Sequence, residues 1–300
     1  MKVLVTGGHG FIGSALRKEK PEWVYVSSRD YDLTSDYQTR GMIRDHRHLD
    51  AIIHLAGKVG GIKDNIEKQA EYIHKNIKIN TNVIHEAYKE NVPRVLSVLS
   101  TCVFPENIES FPFSEVDLFK GPPPESNFSY GYAKRCLHVM SSAYRQQYGM
   151  DYSTFSPSNV YGPNDNFDSE SSHFVPAMIK KFSESNHGDT LEFWGTGKPR
   201  RQQLYVEDLA QIIPLLLENH NTSAPVIVAP HENLSIREMI NTCLKISKKD
   251  VKYNFNGELE GQLRKDGKND MLMRIIGNYN FTSFEEGLKK TYDWYEAKGK

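Results

Sequence analysis

Val3-Leu4-Val5-Thr6-Gly7-Gly8-His9-Gly10-Phe11-Ile12-Gly13 begins with a short apolar run and passes through a GxxGxxG loop into a helical pattern. Between a strand and a helix each of these glycines has a physical use. Gly7 permits a tight turn, Gly10 lets the backbone approach a pyrophosphate, and Gly13 lets the helix pack closely on the strand. The anion then sits at the helix N-terminus, where Gly10, Phe11, Ile12 and Gly13 offer backbone amides. This segment predicts a nucleotide-binding unit at the start of the chain.

Further strands are expected at Trp23 to Ser27, Ala51 to Leu55, Val95 to Leu99 and Tyr152 to Ser156, with long helices over Gln69 to Glu90 and Tyr130 to Tyr148. Strand and helix in alternation predict an α/β fold, a doubly wound parallel Rossmann sheet. Past Tyr161 the pattern loosens, which predicts a smaller, discontinuous C-terminal substrate lobe. The expected division is residues 1–160 with 191–229 returning to the sheet, and 161–190 with 230–300 as the lobe. Helix starts are read at Ser235 with Glu238 and at Thr282 with Glu285, each spaced as a capping box. The proline-rich stretch from Phe104 to Ser129 shows no periodicity, and a loop of that length in a compact domain is expected to be functional.

The second strand ends Val26-Ser27-Ser28-Arg29, without the acidic residue that holds a ribose 2'-hydroxyl in NAD-selective folds. Arg29 can clamp a 2'-phosphate instead, so the expected cofactor is NADP(H).

Composition excludes other classes. With 37 Lys and Arg against 38 Asp and Glu the net charge is -1, so no nucleic acid and no membrane surface is expected as a partner. Hydrophobic residues are 38% of the 300, enough for a sizeable core. Cys102, Cys136 and Cys243 are too few and scattered for a disulfide framework, no signal-peptide pattern is read, and the apolar run Ile212 to Leu217 is far too short to span a bilayer. The chain is expected to be cytoplasmic, and no metal is expected.

Among the tyrosines only Tyr130 has a lysine four residues on, Lys134, which a helix places on the same face. An ammonium beside a phenol favours the phenolate, so Lys134 is expected to lower the Tyr130 pKa. Ser100-Thr101 lies at the C-terminal end of a predicted parallel strand, where open sheets bind ligands.

Together these motifs resemble the extended short-chain dehydrogenase/reductases. Ser100-Thr101-Cys102-Val103-Phe104-Pro105, Ser158-Asn159-Val160-Tyr161-Gly162-Pro163-Asn164-Asp165-Asn166-Phe167, Ser172-His173-Phe174-Val175-Pro176 and Trp194-Gly195-Thr196-Gly197 resemble, more sharply, the GDP-L-fucose synthase family. The resemblance implies a GDP-4-keto-6-deoxy-D-mannose 3,5-epimerase/4-reductase, with a GDP-linked 4-keto sugar as substrate and a homodimer through the two long helices. It implies that Ser100, Tyr130 and Lys134 serve ketone reduction, and that Cys102 and His173 act as acid and base in epimerisation. It places Lys181, Arg201 and Lys265 at the substrate diphosphate, Asn159 at the hexose or its phosphate, and Trp194 among the substrate contacts. The chain departs from the family pattern at Asn164, where a histidine is common, at Glu258, where a lysine is common, and at His9. Two other readings stay open: a C4-reductase of another GDP-4-keto sugar, a deoxyhexose or heptose, without epimerisation, and a non-catalytic NADP-binding sensor.

Overall fold

The computed structural model describes residues 1–168, 171–258 and 262–298; the parts of the expected lobe at 169–170, 259–261 and 299–300 lie outside the described residues. Strands β1 (Val3–Thr6), β2 (Val24–Val26), β3 (Ala51–His54), β4 (Arg94–Val98) and β5 (Asp151–Pro157) alternate with helices α1 (Phe11–Glu19), α2 (Asp36–Asp45), α3 (Ile62–Glu67), α4 (Gln69–Lys89) and α5 (Phe128–Tyr148). Then follow β6 (Asn159–Tyr161), α6 (Phe174–Glu184), β7 (Thr190–Phe193), β8 (Arg200–Arg201), β9 (Gln203–Tyr205), α7 (Val206–Asn219) and β10 (Val226–Val228). The remainder is β11 (Leu234–Ser235), α8 (Ile236–Ser247), β12 (Lys252–Phe255), β13 (Arg264–Lys265), α9 (Asp270–Ile276) and α10 (Phe284–Lys298).

β1 and β3 are buried along their whole length, as a sheet covered on both faces requires. The order is β10-β5-β4-β3-β1-β2, with every pairing parallel. Successive residues point to opposite faces. Leu4, Ile52, Val95 and Tyr152 pack with Val83, Ile84 and Leu137 of α4 and α5. Val5, Ile53, Leu96 and Phe155 pack on the other face with Leu16 of α1 and Leu209, Ile213 and Leu216 of α7. The chain leaves β1 toward β2 and returns to β3 on its far side, which opens the crevice between the C-terminal ends of β1 and β3.

A third core joins Tyr161, Val175, Phe182, Tyr205, Met239 and Leu288. Three small sheets frame it: β12-β7, β6-β9 and β11-β8-β13. Several segments depart from the division expected from sequence. Residues 190–193 pair with β12, 200–201 with β11 and β13, and 203–205 with β6, so of the expected return only α7 and β10 join the main sheet and its cover. Helix α9 packs on the Rossmann side, because Leu272 is fully buried in the core cluster that holds α7 and β10.

The box at Ser235 and Glu238 is present, each side chain bonded to the other's backbone amide. The expected box at Thr282 is not. Thr282 gives its amide and hydroxyl to the Asp208 carboxylate, each at 2.9 Å, and Ser283 caps the last helix one residue later by accepting from Glu286 N. The stretch 104–129 is anchored rather than free. Phe113 N donates to Asp266 O, Lys268 N to Phe113 O, Ile227 N to Glu115 Oε1 and Gln262 Nε2 to Glu106 O. The loop thereby ties the segment around β13 to the end of β4.

Candidate active site

At the nucleotide loop, Gly7 has φ +70°, and a Cβ there would lie 2.9 Å from Ala56 N across the crevice. A Cβ on Gly13 would lie 2.5 Å from Gly7 O, so α1 reaches β1 only because position 13 lacks a side chain. Gly10 N donates to Gly7 O at 2.9 Å, and Gly10 starts α1 without a side-chain cap, leaving the first-turn amides without intrahelical partners. These positions form a backbone cradle for a pyrophosphate. At the end of β2 the Asp30 carboxylate turns back on Ser27, accepting from its amide and hydroxyl at 2.8 Å, and those bonds hold it below the usual carboxylate range. Asp30 is therefore engaged locally, and Arg29 beside it is exposed.

Lys134 is buried beneath this crevice. Its Nζ donates to Val98 O at 2.9 Å and lies 5.9 Å from the centroid of the Tyr130 ring. Burial pushes its pKa down to about 8. The expectation that Lys134 lowers the Tyr130 pKa is overturned. Burial pushes the phenol well above its ordinary range, and the neighbouring Cys102 and Tyr72 add to the shift. A desolvated phenol beside a sulfur that favours negative charge holds its proton, so Tyr130 is a protonated acid at neutral pH.

Ser100 follows β4 and caps the short turn Thr101–Val103, its Oγ accepting from Cys102 N at 3.2 Å. Gly131 brings this turn against α5: a Cβ there would fall 2.8 Å from Cys102 O and 2.6 Å from Pro123 Cβ. Lys265 Nζ lies 3.1 Å from Cys102 Sγ, and Asn127 Oδ1 lies 3.6 Å from it. Burial alone would raise the Cys102 pKa, but Lys265, the Ser100 hydroxyl and Arg201 outweigh it and hold the thiol below its ordinary value.

His173 precedes α6, and its carbonyl accepts from Ala177 N at 3.1 Å. The residue is exposed, yet desolvation by the atoms packed about its ring, and then the Lys265 charge, hold its pKa below the usual imidazole value. Lys265 thus favours the unprotonated form of both Cys102 and His173.

The other expected substrate contacts spread along the same lobe. Arg201 pairs in register with Lys265 and Leu234, and burial outweighs its attraction to Cys102. Asn159 starts β6, paired with Gln203. Trp194 follows β7 and is 61% exposed, open to stacking. Lys181 is turned onto its own lobe, donating to Glu192 O and lying 5.0 Å from the Phe193 ring centroid. Glu258, where the family commonly has lysine, is exposed and accepts from Gly195 N through its carbonyl.

Sequence reading missed a buried polar chain behind the site. His54 joins Thr6 Oγ1 at 2.8 Å to Asn80 Oδ1 at 3.2 Å, and Asn80 Nδ2 donates to Ala133 O at 3.2 Å. Burial, then the Lys134 charge, pushes the His54 pKa down to about 3, so it is neutral. The chain fixes α5 against β1 and β3 one residue before Lys134. Asn76 acts similarly on the Ala56-Gly57-Lys58 turn, accepting from Lys58 N at 2.9 Å, and a Cβ on Gly57 would lie 3.6 Å from Lys134 Nζ. The available signal was two asparagines facing inward on an otherwise amphipathic helix, Asn76 and Asn80.

Residues 3–229 match the NAD dependent epimerase/dehydratase family. The chain is 34% identical to a probable GDP-L-fucose synthase of Drosophila melanogaster, over 98% of this chain and 97% of that one. It is 33% identical to the GDP-L-fucose synthase of Dictyostelium discoideum, over 98% and 94%. A GDP-L-fucose synthetase of Naegleria fowleri, solved bound to NADP, superposes with a TM-score of 0.90 at 30% identity, over 98% of this chain and 92% of that one. The glycine cradle, the buried Tyr130 and Lys134 pair and the end-to-end similarity place this chain in the NAD dependent epimerase/dehydratase family, within its GDP-L-fucose synthase branch.

Proposed function

We propose that this chain is an NADPH-dependent 3,5-epimerase and 4-reductase that converts GDP-4-keto-6-deoxy-D-mannose to GDP-L-fucose. The observation that carries this reading is a run of contacts: Ser100 Oγ with Cys102 N, Cys102 Sγ with Lys265 Nζ, whose charge also reaches His173, and Tyr130 neighbouring both Cys102 and the buried Lys134. The glycine cradle and Arg29 fit the pyrophosphate and 2'-phosphate of NADPH. When bound, NADPH supplies the hydride that reduces C4.

The protein's own groups do the rest. A C4 ketone acidifies the protons on C3 and C5, and Cys102, held toward thiolate, takes a proton from carbon. The C–H electron pair moves into an enolate whose oxygen faces the Tyr130 and Ser100 hydroxyls. His173, held toward its neutral form by burial and Lys265, takes up a proton from solvent and returns it to the opposite face, and the Cys102 thiol gives its proton to solvent before the second carbon is turned over. After epimerisation, Tyr130 gives its proton to the C4 oxygen as the alkoxide forms. The Lys134 ammonium, near the ring, stabilises the phenolate left behind. Arg201 and Lys265 supply positive charge to the substrate diphosphate, with Lys181, Asn159 and Trp194 completing the sugar-nucleotide site. Residues 1–160 with the returning segments bind the cofactor, and the lobe carries the substrate and brings His173 to it.

The same reading includes a homodimer. Ile73 on α4 and Tyr132 and Val139 on α5 are exposed apolar residues on the two long helices, an arrangement suited to pairing with a second copy. It also places the protein in the cytoplasm, where Cys102 stays reduced; no described helix is long and apolar enough to cross a membrane.

The test is NMR analysis of product formed from GDP-4-keto-6-deoxymannose and NADPH in deuterium oxide. The expected product is GDP-L-fucose labelled at C3 and C5, with the label suppressed in Cys102→Ser and His173→Asn. Turnover without label at either carbon would leave a plain 4-reductase and reassign both residues to positioning.

A further inference from the structure

Lys265 lies against Cys102 Sγ at 3.1 Å, while its neighbour Arg264 is neutralised by Asp266 at 2.6 Å. Its backbone is built into place. β13 is paired with β8 in the register Lys265 to Arg201, and Arg200 N donates to Leu263 O at 2.8 Å. Gly267 N donates to Gln202 Oε1 at 2.9 Å, and Asp266 O accepts from Phe113 N at 2.9 Å. The last of these joins β13 to the loop that runs on from Cys102. A lysine held in this way differs from a surface cation that reaches a distant phosphate by side-chain flexibility.

We propose that Lys265 is a positioning residue for epimerisation, its ammonium pairing with the Cys102 sulfur and holding it as the thiolate base, in addition to any contact with the substrate diphosphate. The inference rests on the reading of Cys102 as a base. The groups facing that sulfur are Lys265 from β13, Arg201 from β8, Tyr130 and Asn127 from the start of α5, and Ser100 from its own turn. Tyr130 is neutral, so Lys265 and Arg201 supply the charge, and Lys265 alone of these two is within bonding distance. During proton abstraction the S–H bond forms as the substrate C–H bond breaks, and the electron pair passes to the enolate. His173 senses the same ammonium, so one cation biases both members of the acid–base pair.

The experiment is alkylation by iodoacetamide across pH 5.5 to 10, followed at the Cys102 peptide by mass spectrometry, with added glutathione as the reference thiol. In wild type, Cys102 should react with an inflection below the ordinary thiol value. Lys265→Met should move the Cys102 inflection up by at least about one pH unit, lowering its alkylation near neutral pH about tenfold, and Lys265→Arg should hold it near wild type. Buried Cys243 should stay unalkylated in both variants, which reports an intact fold; Lys265→Gln is the second charge-removing variant should Met disturb packing. An unchanged Cys102 profile in the neutral variants, or an equal upward move in Lys265→Arg, overturns the proposal. Alkylation needs no sugar nucleotide, so this outcome is separate from failure of the functional reading, which would show as wild-type product lacking deuterium at C3 and C5.

Discussion

Replacing Lys134 by methionine tests how the buried cluster carries charge. Lys134 is 1% exposed, bonded to Val98 O, and its pKa falls by burial from the ordinary 10.5 to about 8. In the unfolded chain the ammonium regains its ordinary value, so between pH 8 and 10.5 the unfolded state binds more protons than the native state. Stability therefore rises with pH across that window. At 1.4 kcal/mol per pH unit the gain over the whole window is about 3 kcal/mol. Tyr130 acts in the opposite direction, since its raised pKa means the unfolded chain loses that proton first as pH passes about 10, and stability then falls. The usable range ends near pH 10, where Lys134 has contributed about 2 kcal/mol. The assay is urea unfolding of wild type and Lys134→Met at pH 7, 8, 9 and 10. Taking the difference at each pH removes titrations the two proteins share. The absolute difference at pH 7 mixes the lost Val98 bond with the removed charge, but its slope does not. Wild type should gain about 2 kcal/mol on the variant between pH 8 and 10, and wild-type kcat/KM should fall as pH passes about 8 and the ammonium is lost. Parallel stability curves would refute the buried-ammonium reasoning.

Tyr130→Phe should lower ketone reduction by about 100- to 10,000-fold, the range for a lost general acid, while NADPH binding followed by fluorescence titration stays near wild type. Arg29→Ala should narrow the preference for NADPH over NADH, measured as the ratio of kcat/KM values; a wild type equally efficient with both cofactors removes the argument. Gly13→Ala places a methyl 2.5 Å from Gly7 O, so helix α1 must move off β1, and cofactor affinity should fall at least about tenfold by the same titration.

Local patterns were legible because their causes are local. The run Val3 to Thr6 followed by GxxGxxG predicted strand, turn and helix, since each glycine answers a backbone requirement within a few residues. The Tyr130 and Lys134 spacing placed both on one face of α5 from helical geometry alone. Thr282 was misread because its hydroxyl has a distant competitor, the Asp208 carboxylate, that no local pattern reveals. That α9 packs with α7 and β10 was not legible, because an apolar helix face does not name the sheet it covers.

By itself the sequence determined the doubly wound sheet, the nucleotide loop and the residue types able to do carbonyl and carbon-acid chemistry, because apolar periodicity, glycine placement and helical spacing act over short distances along the chain. Only the tertiary structure decided what those groups are chemically. Lys265 reaches Cys102 across 163 positions through the pairing of β13 with β8, and burial keeps Tyr130 protonated despite the lysine one turn away. Charge state depends on the desolvation and through-space neighbours of the folded protein, and neither is a property of any short stretch of chain.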